Sequence, residues 1–166
     1  IGDTLWTKFY GSDTTSFTSY YKGKGIVVDN NNCFIITGDT SGSNGLPDIF
    51  LLKTDSVGNI LWSKKFGGSA IETTVSIQKT NDNGFIILSN TKSFGNGGYD
   101  IYVVKTNASG DTLWTKTFGN SLDDTGNSLK QTDDGGFLII GTTHIDSVNA
   151  DVYIIKMDTA GNILST

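Results

Sequence analysis

A chain of 166 residues with a formal charge of −5 at pH 7 has the length of one domain, and its 36% hydrophobic residues suffice for a core. All 12 basic residues are Lys and 16 of the 17 acidic ones are Asp, with Glu72 the exception; an acidic chain without Arg argues against nucleic-acid binding, and the shortage of helix formers argues against a helical protein. Apolar runs of about four or five residues are too short for a membrane-spanning helix.

The N-terminal Ile1–Trp6 carries neither an initiator Met nor a signal peptide. Its Gly2-Asp3-Thr4-Leu5-Trp6 is the first of several related strings. A long connection from Gly11 follows, holding Phe17, Tyr20 and Tyr21. Four short strands come next: strand A at Ile26–Asp29, strand B from Phe34, strand C from Asp48 to Lys53, and strand D carrying Trp62. Cys33 is the only Cys, so no intrachain disulfide can form, and a buried apolar role is expected of it. The pattern then repeats. Strand A recurs as Val75–Lys79 and Ser128–Gln131, B from Phe85 and Phe137, C as Asp100 to Lys105 and Asp151 to Lys156, and D with Trp114. Gly58-Asn59-Ile60-Leu61-Trp62 and Gly110-Asp111-Thr112-Leu113-Trp114 repeat the opening string, and Gly161-Asn162-Ile163-Leu164 begins it again, at glycine spacings of 56, 52 and 51. The repeats run over about 2–57, 58–109 and 110–160, with the start of a fourth at 161–166.

A period near 50 residues points to a propeller, a solenoid or an array. Strands B and C are apolar at consecutive positions, which predicts sheets covered on both faces. A two-sheet sandwich would favour apolar and polar alternation. A propeller stacks each four-stranded blade between two others, so the expectation is an all-β chain of three four-stranded antiparallel blades, the arc of a larger or oligomeric propeller. Turns A–B and C–D are short and alike, whereas connections B–C (Ser41–Pro47, Lys92–Tyr99, His144–Ala150) and D–A vary. In a meander the two kinds fall on opposite rims, and function is usually carried by the variable one.

The string Asp55-Ser56-Val57-Gly58-Asn59-Ile60-Leu61-Trp62-Ser63-Lys64-Lys65-Phe66-Gly67-Gly68-Ser69, followed by Gly84-Phe85-Ile86-Ile87, resembles secreted bacterial β-propeller repeats of the kind exported by type IX secretion systems. The resemblance extends over the chain three times and implies the propeller fold and an extracellular or cell-surface setting, with no particular activity. The Asp…Gly-x-x-x-Trp string is also similar to the tryptophan-docking motif of quinoprotein-type propellers. That likeness implies that Trp6, Trp62 and Trp114, with Gly58, Gly110 and Gly161, dock one blade on the next, and implies no quinone cofactor.

Candidate chemistry is sparse. His144 is the only His; it opens a B–C loop, where a catalytic and an ordinary loop role are both open. One His and one Cys cannot make a usual zinc site. Asp123-Asp124, Asp133-Asp134 and Asp29–Asn32 offer oxygens to a structural calcium, though turn formation also explains the last two. Asp48, Asp100 and Asp151, like Lys53, Lys105 and Lys156, recur in each repeat and are therefore expected to be architectural. The best ligand candidates are the loop aromatics Phe17, Tyr20, Tyr21, Phe94 and Tyr99, which suit a glycan or protein partner or else pin loops to blades. The leading functional expectation is a non-catalytic binding, adhesion or scaffolding module. The alternatives are the propeller part of a secreted hydrolase or oxidoreductase, or a structural spacer. Three blades leave an apolar face open at each end, to be covered by further blades of the same polypeptide or by a second copy of the chain. The duplicated half-motif at the two ends favours further blades.

Overall fold

The computed structural model describes residues 5–11 and 21–165; Phe17 and Tyr20 lie outside them. Its strands form three antiparallel sheets of four, each a meander in chain order, with no helix among the described residues. The first sheet is β1 (Tyr21–Val28), β2 (Phe34–Ser41), β3 (Pro47–Thr54) and β4 (Ile60–Phe66). The second is β5 (Glu72–Lys79), β6 (Phe85–Thr91), β7 (Asp100–Thr106) and β8 (Thr112–Phe118). The third is β9 (Asp124–Gln131), β10 (Phe137–His144), β11 (Ala150–Met157) and β12 (Ile163–Ser165). Each sheet takes its outermost strand from the start of the following sequence repeat, so the final half-motif completes the third sheet.

Strand A starts at Tyr21, Glu72 and Asp124, ahead of the expected Ile26, Val75 and Ser128. The missed halves are rich in Thr and Gly and lack an apolar signal. A register shift separates the halves in every copy, between Gly23 and Gly25, between Thr74 and Ser76, and opposite Ile140 and Gly141. The tight turns follow their residue chemistry. Asn32 (φ 58°) and Asn83 (φ 63°) take the left-handed conformation in two A–B turns and Gly135 (φ 82°) in the third, while Gly58, Gly110 and Gly161 take it in the C–D turns. Cys33 is half-buried in the first A–B turn, ahead of β2, and is not a core residue.

The second sheet lies between the other two. Strand β5 packs against β1, β2 and β3, and β9 packs against β5, β6 and β7, so contact between sheets runs mainly through strand A. Two apolar layers result. In one, Ile35, Ile49 and Leu51 meet Ile77, Phe85, Ile87, Tyr102 and Val104. In the other, Ile86, Leu88, Ile101 and Val103 meet Leu129, Phe137, Ile139, Ile155 and Met157. Strands β6 and β7 are thus covered on both faces, as their consecutive apolar residues require. Strand β10 is not: its first residues alternate between buried and exposed, because none of the described residues covers one face of the third sheet.

Candidate functional site

The repeated Asp and Lys residues are consumed by the frame. Lys53 pairs with Asp29 at 2.6 Å, Lys105 with Asp82 at 2.8 Å and Lys156 with Asp134 at 3.0 Å, tying strand C to the A–B turn of its own sheet. Asp82 also accepts from Thr80 Oγ1 and Gly84 N. Burial opposes ionisation of Asp82, yet the Lys105, Thr80 and Gly84 donors together hold its carboxyl below the usual range. The Thr132 hydroxyl, then Lys156, bring Asp134 down to about 2. Two of the three stretches offered to calcium, Asp29–Asn32 and Asp133-Asp134, are therefore engaged in turns and ion pairs.

Of the strand-C acids, Asp48 and Asp100 lie at the seams between sheets, whereas Asp151 is exposed on the third sheet. Asp48 and Glu72 crowd the backbone of Gly67, and Asp100 and Asp124 crowd that of Gly119; a Cβ at either glycine would collide with the carboxylates. The seams are unequal. Glu72 accepts from Thr91 Oγ1 at 2.6 Å and Gly68 N at 2.9 Å, and Lys65 acts on Asp48. In the second seam Thr117 stands where Lys65 does, and the shorter Asp124 takes only Asn120 N, at 2.7 Å. Asp100 Oδ1 and Asp124 Oδ1 are left buried without partners. Burial, reinforced by the Asp124 charge, pushes the Asp100 carboxyl up. Both side chains are shut off from solvent, so this pair is structural and not a substrate-facing acid pair. Sequence spacing could not reveal it, because the partners come from different repeats. Among the described residues no three His, Cys, Asp or Glu side chains group as a metal site.

On the rim with the B–C and D–A connections, neighbouring repeats are stitched together. Asn44 Nδ2 donates to Ser69 O, Lys92 N to Ile71 O and Ala70 N to Ser93 Oγ. Tyr99 and His144 meet around Asp123: Tyr99 N donates to Asp123 Oδ1 at 2.7 Å, and His144 Nδ1 lies 2.6 Å from Asp123 O. Since a carbonyl only accepts, His144 Nδ1 carries the proton and the ring holds the seam together. The Lys92 ammonium sits 4.4 Å from the centre of the Tyr99 ring. Phe94, 39% exposed, stacks on Tyr102 at 5.2 Å, and Tyr21 meets Phe50 edge-on at 5.4 Å. Phe50 and Tyr102 are equivalent residues of strand C, so Tyr21 and Phe94 each rest on the same position of their sheet. Tyr21 and Phe94 thus rest on different sheets, while Tyr99 and His144 share Asp123. The opposite rim carries the A–B turns, where Asn30 Nδ2 donates to Asn83 Oδ1 at 2.6 Å and Gln131 Oε1 accepts from Asn81 N at 2.9 Å.

The Trp and Gly positions do form a repeated contact. A Cβ on Gly110 would sit 2.7 Å from the Trp62 ring, and one on Gly161 3.1 Å from Trp114; on Gly58 it would meet Lys8, Tyr10 and Trp6. Each Trp thus covers the C–D turn glycine of the next sheet. Trp6 also reaches Phe34 at 5.9 Å and Trp114 reaches Phe137 at 6.0 Å. The expectation that all three Trp are mostly buried needs correction. Trp62 and Trp114 are half-buried and Trp6 is 41% exposed, because each ring lies at a surface turn with its Cζ3 edge toward the glycine.

The largest departure from a finished surface is apolar. Leu138, Ile140, Val152 and Ile154 stand at the positions of Ile86, Leu88, Ile101 and Val103, which are fully buried between sheets, yet all four are exposed, Val152 to 71%. No protein-family model and no curated protein matches the chain.

Proposed function

We propose that the three sheets are consecutive blades of a β-propeller and that the chain is a non-catalytic binding or scaffolding module of a secreted or cell-surface bacterial protein. The observation that carries this reading is the open face at Leu138, Ile140, Val152 and Ile154. It repeats a surface that twice within the chain receives another sheet, so it is built for docking. The nearest-neighbour packing through strand A and the Trp-over-Gly contacts support the propeller reading. The engagement of Lys53, Lys105, Lys156 and His144 in holding the frame supports a scaffold over a catalyst.

The test uses a hydrophobic fluorescent dye on dilute, monomeric protein. The wild type should bind it, and the double variant Val152→Thr/Ile154→Thr should lose most of the signal without a change in circular dichroism. A wild-type monomer that binds no more dye than the variant would overturn the docking-face reading.

A further inference from the structure

We propose that the cleft between the A–B turns of the first two sheets binds a small hydroxylated carboxylate of monosaccharide size, a uronic acid. The cleft encloses about 280 Å³, walled by Asp29, Asn30 and Asn31 on one side and by Lys79 and Asn83 on the other. It lies at an internal seam, so it goes beyond the docking-face reading and is independent of whatever covers the outer sheets.

In this cleft the acceptors are spent and the donors are not. Lys53, Asn31 N and Cys33 N take both carboxylate oxygens of Asp29. The Lys79 ammonium donates to Asn30 Oδ1. An ammonium only donates, so Asn30 must turn its oxygen to Lys79 and its Nδ2 to Asn83, which must then present Oδ1. Asn83 Nδ2 is left without an acceptor among the described residues, and the ammonium has hydrogens to spare beyond the one given to Asn30. Asn31 bonds through its backbone and keeps its whole side-chain amide uncommitted. Asp29 neutralises Lys53, and Asp82, next to Asn83, is paired with Lys105. Lys79 therefore gives the cleft a net positive charge in a chain whose formal charge is −5.

The second seam supplies the contrast. Val28, Lys79 and Gln131 each pair with the Phe that opens strand B of their sheet, so they are equivalent. Gln131 Oε1 accepts from Asn81 N at 2.9 Å and Gln131 Nε2 donates to Gly135 O at 2.9 Å. Both ends of that amide are consumed in tying the second and third A–B turns together. Asp82 and Gly135 stand there where the first seam has Asn31 and Asn83. Each of the three exchanges removes a free donor, and Asp82 adds a carboxylate. The same fold thus admits an anion at the first seam and rejects it at the second.

Size and lining select among anions. An ammonium flanked by amide N–H groups matches a carboxylate through charge-assisted hydrogen bonds. The free Asn31 amide offers both a donor and an acceptor, as a hydroxyl does, so hydroxyl groups beside the carboxylate find partners. Ala108 adds one methyl to the lining, and no aromatic or large apolar side chain joins it, so a fatty or aromatic acid gains nothing there. The volume is at the lower end for a ligand pocket and suits one sugar ring.

The experiment is a titration of isotope-labelled protein with glucuronate, glucose and acetate, followed by amide chemical shifts. Glucuronate should shift residues 29–33 and 79–84 and leave 131–136 unmoved. Acetate should bind more weakly, and glucose more weakly still. Lys79→Gln installs the residue of the second seam, and Asn83→Gly that of the third A–B turn, where the left-handed backbone suits Gly; both should keep the wild-type circular dichroism. Lys79→Gln should weaken glucuronate about tenfold, the worth of one charge-assisted hydrogen bond, and Asn83→Gly should weaken it too. Lys130→Gln removes the same charge from an exposed position of the third sheet and should change binding by less than about twofold, since solvent screens it. No shift with glucuronate, equal shifts at 131–136, equal binding of glucose or acetate, or an equal loss in Lys130→Gln would each overturn the site.

Discussion

The chain contains the same ion pair twice, Lys105–Asp82 and Lys156–Asp134, at two depths, which allows the energy of burial to be read with everything else nearly constant. The Lys105 side chain is 3% exposed, whereas that of Lys156 is 24% exposed. Asp82→Asn keeps an acceptor for Thr80 and Gly84 but removes the charge opposite Lys105. Removing one partner of a fully buried pair costs about 3–5 kcal/mol. Asp82 itself is 56% exposed, so water can reach the orphaned ammonium, and Thr106 O still accepts from it at 2.9 Å. That moderation brings the expected cost to about 2 kcal/mol. With a urea dependence of about 1–3 kcal/mol per molar, the unfolding midpoint should fall by roughly 1 M. Lys105→Met leaves a carboxylate that water can solvate and should cost less than about 1 kcal/mol. Asp134→Asn, at the exposed copy, should leave the midpoint within error of wild type. The reasoning fails if Asp82→Asn and Asp134→Asn shift the midpoint equally, or if Lys105→Met is the costlier change at the buried site.

The two classes of Asp predict opposite responses to pH. Asp29, Asp82 and Asp134 have lowered folded values, so their stabilisation is full above the unfolded value near 3.8 and is lost as pH falls through the folded ones, for Asp134 at about 2. Asp100 is raised, so its contribution is full below the unfolded value and is lost as pH rises through the folded one; Asp100→Asn should therefore be more stable than wild type at pH 7.5, with the gap closing below pH 4 in urea titrations. Gly110→Ala combines a φ of +78° with a Cβ 2.7 Å from Trp62 and should cost more than about 1 kcal/mol, with a shift in tryptophan fluorescence; unchanged emission and stability would remove the docking role of that glycine. Trp62→Ala should cost about 2 kcal/mol, below the 3–5 of a fully buried ring, and a loss under 0.5 kcal/mol on calorimetry would show that the contact holds nothing.

What the sequence conveyed was whatever repeats or is local. The Phe-led and Asp-led runs mark β2, β6, β10 and β3, β7, β11 because their apolar residues are contiguous, and Asn and Gly mark the turns because φ is positive there. The first halves of β1, β5 and β9 escaped because Thr and Gly carry no burial signal. The pairing of Lys with the A–B turn depends on strand register, and that of Asp100 with Asp124 depends on how sheets stack. No spacing along the chain encodes either. Phe17 and Tyr20 lie outside the described residues, while Tyr21 and Phe94 turn out to rest on Phe50 and Tyr102.

Because each sheet packs mainly on its immediate neighbour, the protein's stability is a sum over layers and not a property of one core. The middle sheet is held from both sides and the outer ones from one, so opening should start at either end and move inward. Amide hydrogens of β6 and β7 would exchange last, and those of β10 and β11 well before them, although the four strands have nearly the same sequence. A single midpoint temperature would then describe the second sheet better than the whole chain, and near-identical repeats would differ in lifetime through their position alone.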